Sequence, residues 1–167
     1  MEFKAWPKIT RIENKRAPVF TEKIDGTNAC IVIGDNGEFL CQSRTRFIIP
    51  GDDNFGFAKW AHENKEDLMS LGPGHHYGEW WGLGIQRGYG ITEKRFSLFN
   101  TRLWGDHNPN TPRCVNVVPI IRASSIEDVK TLIIRNGSFA APGYMNVEGV
   151  VMYEPDTDTC FKIIINK

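Results

Sequence analysis

The rhythm of apolar and polar positions changes several times along this chain, and each change marks an element. Val19-Phe20 lead into a polar stretch, Thr21 to Thr27, and the apolar-rich run Ala29-Cys30-Ile31-Val32-Ile33 follows it. Residues 31–42 read as a hairpin: two apolar-containing runs joined by Asp35-Asn36-Gly37, with Asn-Gly as the turn signal. Between residues 54 and 71, Phe57, Trp60, Ala61, Leu68 and Leu71 recur at near-helical spacing, and Gly72-Pro73-Gly74 ends the element. A second helix is announced by Ser124 with Glu127 as a capping box. Ile126, Val129, Leu132 and Ile133 give it one apolar face, and Gly137 follows its last turn. Strand-like runs cover residues 77–81, 96–104, 115–121, 147–153 and 160–165. Strands dominate and do not alternate regularly with helices. The pattern predicts an α+β fold of antiparallel sheets with two or three helices, not a doubly wound parallel sheet.

Composition narrows the class only a little. The 167 residues carry 20 Lys plus Arg against 20 Asp plus Glu, so no bulk positive charge is available to hold nucleic acid, although a local basic groove is not excluded. No repeat, low-complexity tract or Gly/Ser linker interrupts the chain, and one domain over residues 1–167 is the expectation. Cys30, Cys41, Cys114 and Cys160 form no Cys-x-x-Cys pair; buried free thiols in a reducing compartment are expected. No apolar run approaches the roughly 18 residues of a membrane span, so a soluble, cytoplasmic protein is expected.

Five charged residues stand in or beside strand-like runs, where an apolar residue is the ordinary choice: Lys23, Arg44, Glu79, Glu148 and Lys162. Lys23 lies in Lys23-Ile24-Asp25-Gly26, a turn between two strands. Glu79 lies in Tyr77-Gly78-Glu79-Trp80-Trp81-Gly82, Glu148 opens Glu148-Gly149-Val150-Val151, and Lys162 sits in Cys160-Phe161-Lys162-Ile163-Ile164-Ile165. Each charge is either on the wet face of a strand or paired in a site, because burial without a partner costs several kcal/mol. Taken alone, Lys23 reads as a solvated lysine beside a turn. Taken in order with Ser43-Arg44-Thr45 and Phe96-Ser97-Leu98-Phe99-Asn100, the set says more.

The series resembles motifs I, Ia, III, IIIa, IV and V of the covalent nucleotidyltransferase superfamily of ATP-dependent ligases and capping enzymes. Within it, the chain looks most like the phage-type, RNA ligase 2-like group, from about residue 9 to residue 167. The resemblance implies a nucleotidyltransferase core, ATP-grasp-like, of antiparallel sheets with the nucleotide pocket between them; the C-terminal accessory or OB domain usual in such enzymes is not expected in this chain. It implies an ATP-dependent RNA ligase, with Mg²⁺ or Mn²⁺ as cofactor and RNA bearing 5′-phosphate and 3′-hydroxyl ends as partner. Lys23 is implied to attack the α-phosphorus of ATP, giving lysyl-AMP and pyrophosphate, and Lys162 to offset charge on the α-phosphate. Arg44 is implied to grip phosphate, Phe99 to stack on the adenine, and Glu79 to accept from a ribose hydroxyl or hold a water on the metal. Glu148 is the implied metal-side carboxylate. Glu22 is implied to help recognise the base, and Asp25 with Gly26 to line the sugar or acceptor side. A DNA ligase, a GTP-using guanylyltransferase and a nucleotide-binding, RNA-associated module without ligation activity remain the alternatives.

Two departures stand out. The family's motif V carries a second lysine where this chain has Ile164, and Lys167 lies too far along a regular strand to replace it; Arg46 and Arg87 are the candidate substitutes. The chain also ends soon after motif V, so a separate RNA-binding partner or domain is a candidate. Lys8, Arg11, Lys15 and Arg16, with Arg87, Lys94 and Arg95, are candidates for a phosphate-binding rim. The glycines of 82–88 have the wrong spacing for a dinucleotide fingerprint, and His75-His76 read as loop histidines rather than metal ligands. By strand alternation, Trp80 and Trp81 are expected to divide between core and site wall.

Overall fold

The structure, a computed structural model, describes residues 1–9, 11 and 15–166. In chain order the strands are β1 (Val19–Lys23), β2 (Thr27–Ile33), β3 (Phe39–Ser43), β4 (Phe47–Ile48), β5 (Gly74–Gly82), β6 (Lys94–Leu98), β7 (Asn116–Val117), β8 (Ile120–Ile121), β9 (Gly149–Glu154) and β10 (Thr159–Ile164). Helices α1 (Phe57–Glu63) and α2 (Lys65–Leu68), with a 3-10 turn at Met69–Leu71, precede β5, and α3 (Ile126–Asn136) precedes β9. Two sheets result: β10-β9-β1-β8, and β4-β3-β2-β5-β6-β7. Every pair is antiparallel except β6 with β7, so the larger sheet is mixed rather than purely antiparallel as the sequence suggests.

Register decides which side chains share a face. Partners across an antiparallel ladder project to the same side, and neighbours along a strand to opposite sides. In the larger sheet, Ala29, Ile31, Cys41, Trp80, Phe96 and Leu98 therefore share one face. They form one buried cluster with Phe57, Ala58 and Ala61 of α1 and with Leu68 and Leu71. In the smaller sheet, Phe20 and Val150 join Val129 and Ile133 of α3. With each sheet clad by helices on one face, the opposite faces carry the unusual charges: Lys23 and Lys162 on one sheet, Glu79 on the other.

Local chemistry explains the element ends. The Asp35-Asn36-Gly37 hairpin forms as expected, closed by Gly34 N–H to Glu38 O and Gly37 N–H to Gly34 O. The 54–71 stretch breaks into pieces because Asn64 ends α1: its backbone N–H and its side-chain Nδ2 both donate to Trp60 O. The N-cap of α3 is Ser125, one residue later than the capping-box reading. Its Oγ accepts from Asp128 N–H, while Asp128 Oδ2 reaches back to Ser124 N–H. Ile126, assigned to the buried face, is exposed, whereas Gly137 closes the helix as expected. Residues 99–104 are not strand: Leu103 N–H donates to Asn100 Oδ1 and Trp104 N–H to Asn100 O, folding the chain back after β6.

All four cysteines are free thiols, with Cys30 and Cys41 buried but Cys160 exposed. Among the described residues, no helix is long and apolar enough to cross a membrane.

Candidate active site

Motif I crosses from one sheet to the other. β1 delivers Lys23 at its last position, the turn Ile24-Asp25-Gly26 follows, and β2 begins the larger sheet at Thr27. The turn requires glycine at 26 for a reason other than positive φ: a Cβ there would collide with the Trp80 carbonyl oxygen and sit 2.7 Å from Trp81 Cβ. That close approach lets Gly26 N–H donate to Glu79 Oε2 at 3.0 Å and so pins the turn to β5. Ile24 anchors it from below, in a cluster with Trp81, Tyr89, Val118 and Ala141. Trp81 is sealed in that cluster and is not a site wall; Trp80 lies in the core.

Lys23 Nζ sits 2.8 Å from Glu148 Oε2, with both side chains about a quarter exposed (28% and 20%). The nearest charged partner of this lysine is thus a carboxylate. Glu148 itself is held by the chain end: Ile165 N–H and Asn166 N–H both donate to its carbonyl oxygen.

Glu79 is the unusual group here. It is buried, Oε2 is occupied by Gly26 N–H, and Oε1 has no hydrogen-bond partner among the described residues. Desolvation by burial pushes Glu79 up to about 7. Gly26 N–H and the Lys23 charge pull against that, while Asp25 and Glu148 add to it. A buried acceptor oxygen left unpaired is an uncommon arrangement that asks for a donor. A ribose hydroxyl or a metal-bound water has the chemistry to be that donor. Among the described residues no group of three or more His, Cys, Asp or Glu forms a metal cage. Two carboxylates, one of them with an unpaired oxygen, suit a Mg²⁺- or Mn²⁺-type ion that keeps most of its waters and borrows phosphate oxygens.

Register places Phe99 and Lys162 relative to this centre, while Arg44 lies just past the end of β3. Asn28 pairs with Glu79, and Cys30 with both Tyr77 and Gln42, so Gln42 shares the Glu79 face and Arg44 follows in the turn closed by Ser43 N–H on Arg46 O. Arg44 is exposed and makes no hydrogen bond or ion pair among the described residues. Phe99 N–H donates to Tyr77 O, and Phe99 and Tyr77 expose 45% and 55% of their surface, an open aromatic shelf beside Glu79. Lys162 pairs with Val151, which pairs with Thr21, placing it on the Lys23 face two strand spacings across and two residues along, about 12 Å between backbones. Ile164 lies in the same row as Lys23, with only Gly149 between them. Neither proposed substitute for the missing lysine is free. Arg46 is spent on Phe47 O, Asp52 and Asp53 O, and Arg87 is tied as described below. Lys167 lies outside the described residues.

Other assignments are displaced. Glu22 faces away from Lys23 and is 1% exposed. Its Oε1 accepts from Phe139 N–H (2.6 Å) and Ala140 N–H (3.0 Å), and its Oε2 from Ser138 Oγ (2.8 Å). These oxygens organise the loop after α3 and none is offered to a base. Glu22→Ala strands three buried donors, so the expected outcome in urea denaturation is a loss of about 3 kcal/mol. Preference for ATP over GTP is expected to be unchanged, and a switch in base preference would restore the recognition role. Asp25 is likewise occupied, its Oδ2 receiving Arg87 Nε at 3.0 Å. The rim is thinner than expected: Arg16 pairs with Asp156, Arg95 with Glu93, and Lys94 donates to Phe55 O. His75 and His76 are in β5, not in a loop; His75 stacks on Tyr77, and His76 contacts Gly72 O at 2.7 Å. A cavity of about 520 Å³ bounded by Gly105, Asp106, Thr111, Arg113 and Asn116 contains none of the expected site residues.

The family model for RNA ligases matches residues 17–164. This chain belongs to the RNA ligase family. Its fold is that of a solved RNA ligase from Naegleria gruberi. An arginine-to-alanine mutant of that protein with ATP and Mn superposes with a TM-score of 0.64 at 23% identity, over 92% of this chain and 51% of that one. A lysine-to-methionine mutant with AMP and Mn gives 0.62 at 22%, over 91% and 51%. An apo mutant gives 0.62 at 22%, over 91% and 50%. The chain therefore spans about half the length of these relatives. No curated protein matches it. Motif spacing had pointed to the family; the two-sheet fold with three helices agrees with it.

Proposed function

We propose that this RNA ligase family member is an ATP-dependent RNA ligase of the phage-type group, acting through a covalent lysyl-AMP on Lys23. The observation that carries the proposal is the convergence of Lys23, Glu148 and the unpaired Oε1 of Glu79 at the junction of the two sheets. In the first step, the Lys23 Nζ lone pair forms a bond to the α-phosphorus as the bond to the bridging oxygen breaks, and pyrophosphate leaves with that electron pair. The proton that Nζ sheds has Glu148 Oε2, 2.8 Å away, as its nearest acceptor. Arg44 and Lys162 stabilise the phosphate charge, and Phe99 stacks against the adenine. Glu148 and Glu79 are the residues to hold Mg²⁺ or Mn²⁺, which supplies charge stabilisation and orientation of the phosphates. AMP then passes to an RNA 5′-phosphate, and a 3′-hydroxyl displaces it to seal the strand. The solved relatives that bind ATP or AMP together with Mn support this choice of ligand.

The readout is covalent labelling with α-labelled nucleotide and Mg²⁺. ATP is expected to label the protein, and unlabelled ATP to compete better than GTP or dATP. Stronger competition by GTP would turn the reading to a guanylyltransferase. One observation favours a second reading, a nucleotide-binding module without turnover: the row that holds Lys23 ends in the apolar Ile164. Tight ATP binding without covalent label would establish it. Label without joined nicked or single-stranded RNA would mean an adenylyltransferase that relies on a separate partner for sealing.

A further inference from the structure

We infer that Arg87 is a positioning residue for the nucleophile: it sets the separation between the Lys23 turn and the Glu148 segment by tying both to one guanidinium. Resting on the proposed lysyl-AMP chemistry, this assigns a role the motif series does not contain. Sequence alone offered Arg87 as a phosphate-binding cation, but each of its three nitrogens donates to an acceptor of this chain. Nε donates to Asp25 Oδ2 at 3.0 Å, Nη1 to Asn146 O at 2.9 Å and Nη2 to Asn166 O at 2.8 Å, and the side chain is only 12% exposed.

The three acceptors lie on the two partners of the reaction. Asp25 is two residues beyond Lys23, and Asn146 is two residues before Glu148. Asn166 belongs to the segment that grips Glu148 from the other side, through the N–H groups of Ile165 and Asn166 on Glu148 O and through Asn166 Nδ2 on Val147 O. One planar fork therefore fixes motif I against motif IV, a task for which a lysine's single ammonium has too few directed donors. The loop that presents Arg87 is stiffly built. Gln86 and Tyr89 both adopt positive φ, 47° and 56°, a conformation non-glycine residues rarely hold unless the surroundings require it. Tyr89 adds a second grip on the same turn: its buried hydroxyl accepts from Asp25 N–H at 2.7 Å, while its ring packs on Trp81 and Tyr144. Asp25 is thus held by side chain and backbone at once, from one loop.

Arg87 touches neither Lys23 nor Glu148, so its loss acts through geometry. Misplacing a nucleophile by an ångström lowers rate far more than it lowers ground-state binding. Single-turnover labelling of the purified protein with α-labelled ATP separates the two. For Arg87→Ala, the adenylylation rate constant is expected to fall roughly 10- to 100-fold with apparent ATP affinity unchanged. Arg87→Lys is expected to stay well below the wild-type rate, because charge is retained but the fork is lost. Tyr89→Phe, which keeps the ring packing and removes only the accepting oxygen, is expected to slow labelling with the same split, and it carries the test if Arg87→Ala does not fold. Wild-type rates in folded Arg87→Ala or Arg87→Lys, or a loss expressed wholly in ATP affinity, overturn the inference. A wild-type protein that takes no label overturns the functional reading, and this inference with it.

Discussion

Lys23→Ala is expected to take no covalent label from α-labelled ATP, a drop of about 10³-fold or more, while its melting temperature stays close to that of the wild type. The two halves of that result come from different properties of one side chain. In the proposed reaction the nitrogen is the atom that becomes bonded to phosphorus, and among the described residues no neighbouring amine is placed to replace it. Arg87 is committed to three acceptors, and Lys162 stands about 12 Å away on the far side of β9. Stability is another matter, since the Lys23–Glu148 pair at 2.8 Å is partly solvated on both sides, and such pairs contribute about 0–1 kcal/mol. Lys23→Arg sharpens the point. A guanidinium keeps the positive charge opposite Glu148, so non-covalent ATP binding persists, yet it is never deprotonated to serve as a nucleophile. The proposed adduct on the wild type is a phosphoramidate, so its label is expected to be lost in acid. Counting label on denatured protein before and after acid treatment tests both statements. Residual acid-labile label on either variant, above a thousandth of wild type, would move the nucleophile elsewhere.

The parts of this site that were legible in the sequence are those specified by short-range chemistry. Asn36-Gly37 specified the β2–β3 hairpin, and with it the register that puts Gln42 on the Glu79 face. Charges embedded in apolar strands marked Lys23, Glu79, Glu148 and Lys162 because such positions need a reason. Long-range partners were not legible. Glu22 looked like a recognition group beside the nucleophile, but its three donors come from residues 138–140, more than a hundred positions away in the chain. Arg16, Arg87 and Arg95 looked like a cationic rim and proved to be tied to Asp156, Asp25 and Glu93. A charge count registers an arginine without its partner. Residues 99–104 looked like strand because they include Phe99, Leu103 and Trp104, and the Asn100 side chain overrode that preference by closing a turn.

Glu79→Gln separates stability from activity, and the two are expected to move in opposite directions with pH. An ordinary glutamate titrates near 4.5, and in the folded protein burial pushes Glu79 up to about 7. Between those values the folded state holds a proton that the unfolded state has released. The contribution of Glu79 is therefore most favourable below pH 4.5, declines as pH rises, and levels off above about 7. Each pH unit between the two values is worth about 1.4 kcal/mol, so the whole decline is about 3 kcal/mol. Glutamine does not ionise, so the variant lacks this slope: relative to wild type it gains up to about 3 kcal/mol between about pH 4.5 and 8. The amide nitrogen it introduces lowers stability at every pH if it meets no acceptor, which leaves the pH difference intact. Activity goes the other way. Oε1 of Glu79 is a buried acceptor without a donor, and an ionised carboxylate there binds a ribose hydroxyl or a metal-bound water far better than a neutral amide does. Labelling by ATP and Mg²⁺ at about pH 8 is expected to fall about 10²–10³-fold in Glu79→Gln. Urea denaturation across the pH range and single-turnover labelling give the two readouts on the same preparations. A wild-type protein whose stability does not decline relative to Glu79→Gln over that window would mean that the burial penalty is relieved in solution. Wild-type labelling by Glu79→Gln would remove Glu79 from the reaction altogether. The same unpaired oxygen that weakens the empty fold at neutral pH is the one that ATP and its metal are expected to satisfy, so bound nucleotide should stabilise the wild type more than the variant.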